Sequence, residues 1–351
     1  MAGNIRRGVR VSSWLGTSLL AESVPINDAT FSESDGQEIP ESIHLTVPAL
    51  DRGTSWDPGE DPRHPLADFG QRLSVVVDVL TPRHSSWSMP LGSFQIGSWA
   101  LSDDGATVDV TALGLLKVVD EDTFAAPEQP RAGGTFISEF RRLMSGGIPL
   151  SIDAALVDRA CPGSFSWDED RLGALIELAK AWPARITTST DGTIAVCPPL
   201  GVVPVPVLTL TDGARGVLMT APRSSSRDGR YSAVSARSSA DTSTSMPISG
   251  EYATRTGPYS IGTYGTVRKR FASPLLGTPD ACVATARTLT EDSQRQARII
   301  TVTLPPDPRI QRGDALALVW KGKRYLGWVQ DVTLPLTVST ERMSLKVGCP
   351  L

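Results

Sequence analysis

One capped helix feeding a run of strands governs the last third of this chain. Thr278-Pro279 opens a helix running to about residue 296. Thr278 is its capping side chain, and Pro279 takes the first helical position, where a missing N–H breaks no bond. Strands are predicted at Ile299–Leu304, Ala315–Trp320, Tyr325–Leu334 and Met343–Val347, with Lys321-Gly322-Lys323 turning the second into the third. In the last of these Met343, Leu345 and Val347 face one way and Ser344 and Lys346 the other. A helix ahead of antiparallel strands predicts a barrel-like wall and offers no obvious reaction centre.

The first part of the chain has the same preference for strands. Ser42–Val47 alternates polar and apolar, as a half-buried strand does. Leu73–Leu80 is apolar apart from Ser74 and Asp78. Phe94–Trp99 and Ala106–Val110 flank the turn Ser102-Asp103-Asp104-Gly105, where Asp-Gly supplies the positive φ of a tight hairpin. Residues 51–70 form a long loop punctuated by Asp57-Pro58-Gly59 and Asp61-Pro62.

The character changes near residue 111. Thr135 caps a helix whose apolar stripe is Phe136, Ile137, Phe140, Leu143 and Met144, ended by Gly146-Gly147. Ser166 and Glu169 have the spacing of a capping box for a second helix that ends at Pro183. Ile186–Thr190, Asp191-Gly192 and Thr193–Val196 then read as a hairpin. From about 206 the chain is β again, through Val217–Thr220 and Tyr231–Ala236. The Ser/Thr-rich stretch Ser238–Ser249 reads as an exposed loop, and Gly257–Gly265 as irregular or edge structure.

The expected fold class is therefore mainly β with an α+β insertion. It comprises a first β-barrel-like domain over 1–110, an α+β inserted domain over 111–205, and a second β-barrel-like domain over 206–351. The last contains a helix-bearing subdomain at about 266–300. A length of 351 residues fits two or three domains. Thirty-one glycines and 27 prolines favour strands and turns over helices.

Charge and cysteine usage exclude several function classes. The formal net charge is -4, from 34 basic and 38 acidic side chains, and no basic patch offers counterion release to nucleic acid. The short run Arg268-Lys269-Arg270 reads as a solvated strand end. Cys161, Cys197, Cys282 and Cys349 are far apart and form no C-x-x-C pair, so neither a zinc site nor a redox motif is expected. Isolated thiols of this kind fit a reducing cytoplasm. Val9–Leu20 is interrupted by Arg10, Ser12, Ser13 and Gly16, so no signal peptide is read. No apolar run reaches the roughly 18 residues of a membrane span.

Candidate chemistry is sparse. The three histidines, His44, His64 and His84, share no metal-ligand spacing and lack an oriented partner. Acidic groups cluster at Asp103-Asp104, Asp120-Glu121-Asp122 and Asp168-Glu169-Asp170, placed in a turn, at a domain junction and in a helix's first turn. Acids in a first turn meet the positive end of the helix dipole. No G-x-S-x-G elbow, Walker A loop or G-x-G-x-x-G appears. Gly313-Asp314 reads as a turn opening a strand. No catalytic, cofactor-binding or metal-binding residue is expected, and no cofactor.

Four stretches carry a family resemblance. They are the helix and hairpin Leu172–Pro198, the segment Ser225–Val234, the helix Asp280–Gln296 with its following strand, and Asp307-Pro308-Arg309-Ile310-Gln311-Arg312-Gly313-Asp314. The second is similar to an S-R-x-x-x-Y-N-x-V strand opening, with Ser232 where Asn is common. The fourth is similar to a P-x-hydrophobic-x-P-G-D opening, with Arg312 in place of the usual Pro. Together they resemble the central hub protein of tailed-bacteriophage tails, a family that includes contractile-phage baseplate hubs, siphophage tail-associated proteins and the hub part of type VI secretion spikes.

The resemblance implies a homotrimeric ring in the virion's tail tip, assembled in the host cytoplasm. Two barrel-like domains per subunit would match a hexameric tail tube. The implied partners are the distal tail or tail tube protein, the tape-measure protein, and tail fibre or tip proteins. DNA would pass through without specific binding, and no stable membrane insertion is implied. The net charge of -4 predicts a neutral to acidic lumen. With the sequence ending at Leu351, wall cleavage or receptor binding is expected in another protein. Two alternatives stand beside this reading. A receptor- or carbohydrate-binding tail protein would need an exposed aromatic platform or groove, best sought in the 51–70 loop with Trp56. A wall hydrolase would need a carboxylate pair or a metal site in a cleft.

Overall fold

A computed structural model describes residues 6–80, 86–144, 147–239, 248–338 and 341–351. In chain order it holds β1 (Arg6–Leu15), β2 (Ser18–Ala21), β3 (Asp28–Ser34), β4 (Glu41–Pro48), a small hairpin of β5 (Leu50–Asp51) and β6 (Thr54–Ser55), β7 (Gln71–Leu80), β8 (Ser86–Leu101) and β9 (Thr107–Gly114). The middle holds α1 (Leu116–Glu121), α2 (Phe136–Leu143), β10 (Leu150–Ile152), α3 (Arg171–Ala181), β11 (Arg185–Thr188) and β12 (Ile194–Cys197). There follow β13 (Leu208–Thr211), β14 (Arg223–Ser224), β15 (Ala233–Ser238), β16 (Ser249–Ala253), α4 (Ile261–Tyr264) and β17 (Arg268–Ser273). Last come α5 (Pro279–Arg295), β18 (Arg298–Leu304), β19 (Ala315–Trp320), β20 (Lys323–Pro335) and β21 (Met343–Cys349). The fold is mainly β, as the strand patterning predicts.

Alternation fixes which strand faces turn inward. On β4 Glu41, Ile43, Leu45 and Val47 are buried while their neighbours are not. The strands of the first part pair in the order β3-β4-β9-β8-β7-β1-β2, and those of the last part in the order β14-β18-β21-β20. The two β regions meet edge to edge, because β20 pairs antiparallel with β3 and sets Leu334 opposite Phe31. Ser34 thereby donates to Asp331, 297 positions away, at 3.0 Å. β19 pairs with β20 and, in parallel, with β13.

One apolar core fills the space under this sheet, drawing Leu45, Val75 and Phe94 from the first region and Val302, Leu318 and Leu345 from the last. Phe31 meets Phe94 edge to face at 5.9 Å. Full burial of each such side chain contributes about 1.5–3 kcal/mol.

A second core gathers the helices. Phe136 and Phe140 of α2, Leu175 and Leu178 of α3 and Ile194 of β12 pack with Val234 of β15 and Ala286 of α5. The helix α2 begins as predicted: Thr135 Oγ1 accepts from the Ser138 N–H at 3.2 Å, and Ser138 Oγ accepts from the Thr135 N–H at 2.7 Å. The helix α5 starts behind Thr278, whose hydroxyl accepts from the Ala281 N–H at 3.2 Å.

Five local expectations are corrected. Val217–Thr220 forms no strand beyond a single bridge from Thr220 to Thr303, and Gly257–Gly265 holds the short helix α4. Ser166 and Glu169 do not form a capping box. Trp167 exchanges two backbone hydrogen bonds with Glu128, which holds that stretch extended, and Asp170 caps α3 by accepting from the Gly173 N–H at 2.7 Å. The predicted hairpin of β11 and β12 gains a third strand, because β10 pairs in parallel with β12. The stretch Ser238–Ser249 is bounded by strands rather than being loop throughout, with Ser238 ending β15 and Ser249 opening β16; residues 240–247 lie outside the described residues.

Candidate functional site

The two cores meet around Arg312, in the loop that carries the departure from the family pattern. That loop is locked from within. Asp307 accepts from the Arg309 N–H, Nε and Nη2 at 3.1, 2.9 and 2.7 Å. Burial pushes the Asp307 carboxyl up, but these bonds outweigh it and leave the group below its ordinary range. Ile310 plugs into the barrel core. The Gly313 N–H donates to Val329 O at 2.8 Å, tying the loop to β20. Gly313 has φ 87°, a left-handed conformation that disfavours a side chain, and a Cβ there would also sit 3.0 Å from Arg185 Nη1.

Arg312 points into the joint with its side chain only 9% exposed. Its Nη1 lies 3.0 Å from Asp35 Oδ1, its Nη2 3.7 Å from Glu41 Oε1, and its backbone N–H donates to Glu33 Oε2 at 3.0 Å. Glu41 is 5% exposed and occupies an inward position of β4. It lies against Gly114, where an added Cβ would meet Glu41 Oε2 at 2.5 Å. Burial raises the Glu33 and Glu41 carboxyls above their ordinary value, and Arg312 pulls both back in part. Burial also raises Asp314. A guanidinium among three carboxylates holds the joint by charge, which matters most where water is excluded.

The joint opens into a cleft of about 520 Å³. From the helical side it is lined by Ile176 and Lys180 of α3, by Arg185 and Ile186 of β11, and by Arg295 of α5. The barrel side supplies Asp35, Arg312 and Trp328. Arg295 donates to Leu200 O at 2.7 Å and lies 5.7 Å from the Trp328 ring centre. Burial lowers the affinity of both Arg185 and Arg295 for their protons.

The residues singled out from the sequence lie elsewhere. His44 is exposed on β4, 3.4 Å from Thr111 Oγ1. His64 accepts from the Leu66 N–H at 3.1 Å and packs edge-on to Trp56. His84 lies outside the described residues. Asp104 closes its turn by accepting from Ser102 Oγ at 2.6 Å and the Ala106 N–H at 3.0 Å. Asp120 pairs with Lys117 at 2.8 Å, Glu121 accepts from Gln95 at 2.7 Å, and Asp122 lies 3.6 Å from Arg171. Asp104, Asp120, Glu121, Asp122 and Asp170 thus serve a turn, a helix face and a cap; the second and third clusters lie side by side, the Phe124 N–H donating to Glu169 O at 2.8 Å and Arg171 Nε to Asp122 O at 2.5 Å.

Trp56 is 9% exposed and belongs to the barrel core, which removes it as a platform. Within the basic run, Arg268 pairs with Glu251 at 2.8 Å and Lys269 lies over the Tyr231 ring. Burial pushes the Cys161 and Cys349 thiols up to about 12. Among the described residues no three His, Cys, Asp or Glu are grouped to hold a metal ion, and no helix is long and apolar enough to cross a membrane.

No family model matches the sequence, and no curated protein matches it. Solved structures do resemble it, nearly end to end. A tail protein from Neisseria meningitidis superposes with a TM-score of 0.64 at 15% identity, covering 97% of this chain and 96% of that one. A 43 kDa tail protein of a Shewanella oneidensis prophage gives 0.63 at 11% identity, covering 96% and 98%. An Escherichia coli type VI secretion component, itself described as structurally similar to T4 bacteriophage tail proteins, gives 0.55 at 12% identity, covering 99% and 77%. The fold built around the Arg312 joint is thus the fold of phage and prophage tail proteins and of a type VI secretion component.

Proposed function

We propose that this chain is a structural hub protein of a bacteriophage tail tip. Three copies would close into a ring that joins the tail tube or distal tail protein to the tip and surrounds a passage for the tape-measure protein and DNA. The observation that carries this reading is the end-to-end likeness to phage tail proteins, with 97% of this chain and 96% of a tail protein matched at a TM-score of 0.64. A partial match would fit a shared module; a full-length match fits a shared place in an assembly.

Two barrel-like β regions per copy, 1–110 and 206–351, would present six similar walls to the sixfold tube, with 111–205 inserted between them. Closing such a ring requires heterologous contacts related by rotation. The exposed valines Val202, Val203, Val205 and Val207, just before β13, supply an apolar stripe suited to one side of that contact. We assign the protein no catalytic role: the acidic clusters serve structural bonds, and the burial of Trp56 speaks against the carbohydrate-platform alternative.

Mass photometry and low-resolution microscopy of the purified protein test the proposal. A threefold ring that Val203→Asp with Val205→Asp disperses is the expected result. A stable monomer or a sixfold ring of single copies overturns it. A calculated surface of the ring with a basic lumen would contradict the passage assigned to DNA.

A further inference from the structure

The cleft beside Arg312 carries an unbalanced set of charges. Four cationic side chains line it, Lys180, Arg185, Arg295 and Arg312, against three acidic ones, Asp35, Glu38 and Asp292. Arg312 is paired with Asp35 and Arg295 with Asp292. Lys180 and Arg185 form no ion pair among the described residues, although the charges of Asp35 and Asp314 act on Arg185 from beyond contact distance. Among the side chains that line the cleft, cations thus outnumber acids by one, in a chain whose net charge is -4. Arg185 Nε is buried and makes no hydrogen bond. A guanidinium so placed gains from an arriving anion, because its hydration is already largely lost.

The rest of the cleft says what sort of anion. Part of its wall is apolar, formed by Leu116, Ile176, Ile186 and Leu200. Its volume of about 520 Å³ suits a few residues of extended chain. An inorganic ion would use the arginine and leave this wall bare.

We propose that the cleft receives an extended segment of another protein that presents a carboxylate to Arg185 beside an apolar side chain seated on Ile176 and Ile186. Lys180, exposed at the rim, steers the same carboxylate and adds less. Burial holds Arg185 below its ordinary proton affinity, and a bound carboxylate reverses that trend. The assignment is independent of ring formation, because every group in it belongs to one chain.

The test is calorimetric titration of the full chain with acetyl-Leu-Glu-Leu-amide, with its glutamine counterpart and with inorganic phosphate. The expected result is saturable binding of the glutamate peptide, weakened roughly tenfold by glutamine at its centre and roughly tenfold by Arg185→Gln. Lys180→Gln is expected to weaken it about threefold; on an exposed helix position it keeps the test open should Arg185→Gln fold poorly. Equal affinity for the two peptides overturns the proposal, as does full affinity in both variants. So does phosphate displacing the peptide at equal concentration, or no saturation up to about 10 mM. Sedimentation showing the cleft covered by a second copy would overturn it too.

Discussion

The two cores solve the same burial problem with different connectivity. The barrel core is closed by partners far apart in sequence, as in the pairing of β20 with β3. The helical core relies more on local devices: the Thr135 and Thr278 caps, the β11–β12 hairpin, and α5 lying on β15 and β16. Non-local pairing makes a wall that gives way as a unit, whereas local devices let a region loosen piecemeal. Charge follows the same division. The barrel supplies the buried carboxylates Glu33 and Glu41, and the helical side supplies Lys180 and Arg185, which form no ion pair among the described residues. Arg312 bonds to the barrel's own carboxylates and shares the cleft with Arg185 of the helical side.

The contrast breaks most sharply under core truncation. Phe94→Ala and Phe140→Ala are each expected to cost about 3–5 kcal/mol. Hydrogen exchange should show the first losing protection across β3, β7, β8 and β20, and the second mainly across α2 and α3. Equal loss everywhere from Phe140→Ala would mean that the two cores are one cooperative unit.

Arg312→Ala comes next, at about 3 kcal/mol, because it leaves Glu41 buried without its cation. Calorimetry should then resolve two transitions in place of one, and a single unchanged transition would deny Arg312 its role as the link. The pH dependence is smaller and has an unusual sign. Glu33, Glu41 and Asp314 hold protons more tightly folded than unfolded, so the folded state binds more protons between the ordinary carboxyl values, 4.5 for Glu and 3.8 for Asp, and the raised folded ones. Stability should therefore rise as pH falls through that window, and Glu33→Gln should flatten the rise in urea titrations. Asp307, held low, acts oppositely below 3.8. Thr278→Ala is the mildest test, at about 1 kcal/mol, and should act on α5 with the barrel untouched.

Much of the strand and helix inventory is legible in the sequence because its signals are local. Thr278-Pro279 marks the start of α5, and the alternation of Ser42–Val47 marks β4. The Ser166 box misleads because backbone pairing between Trp167 and Glu128 outweighs a side-chain cap. The joint is harder to read. Arg312 stands out only as a departure from a pattern, and its partners lie far away in sequence. One signal was nonetheless present: extending the alternation of Ser42–Val47 back by one residue places Glu41 inward, and a carboxylate on a core face demands a cation. The same reasoning on β3 puts Glu33 in register with Phe31. Arg185 carries no such signal, because its strand is too short to declare a face.

The pairing of β3 with β20 also imposes an order in time. During synthesis at about 5–20 residues per second, the edge of β3 waits roughly 15–60 s before its partner leaves the ribosome. An open edge invites the strands of neighbouring nascent chains. Glu33, turned inward on that edge, makes such a mismatched docking expensive until Arg312 arrives from the same late stretch of chain. The carboxylate tied into the finished joint thus also protects the unfinished molecule.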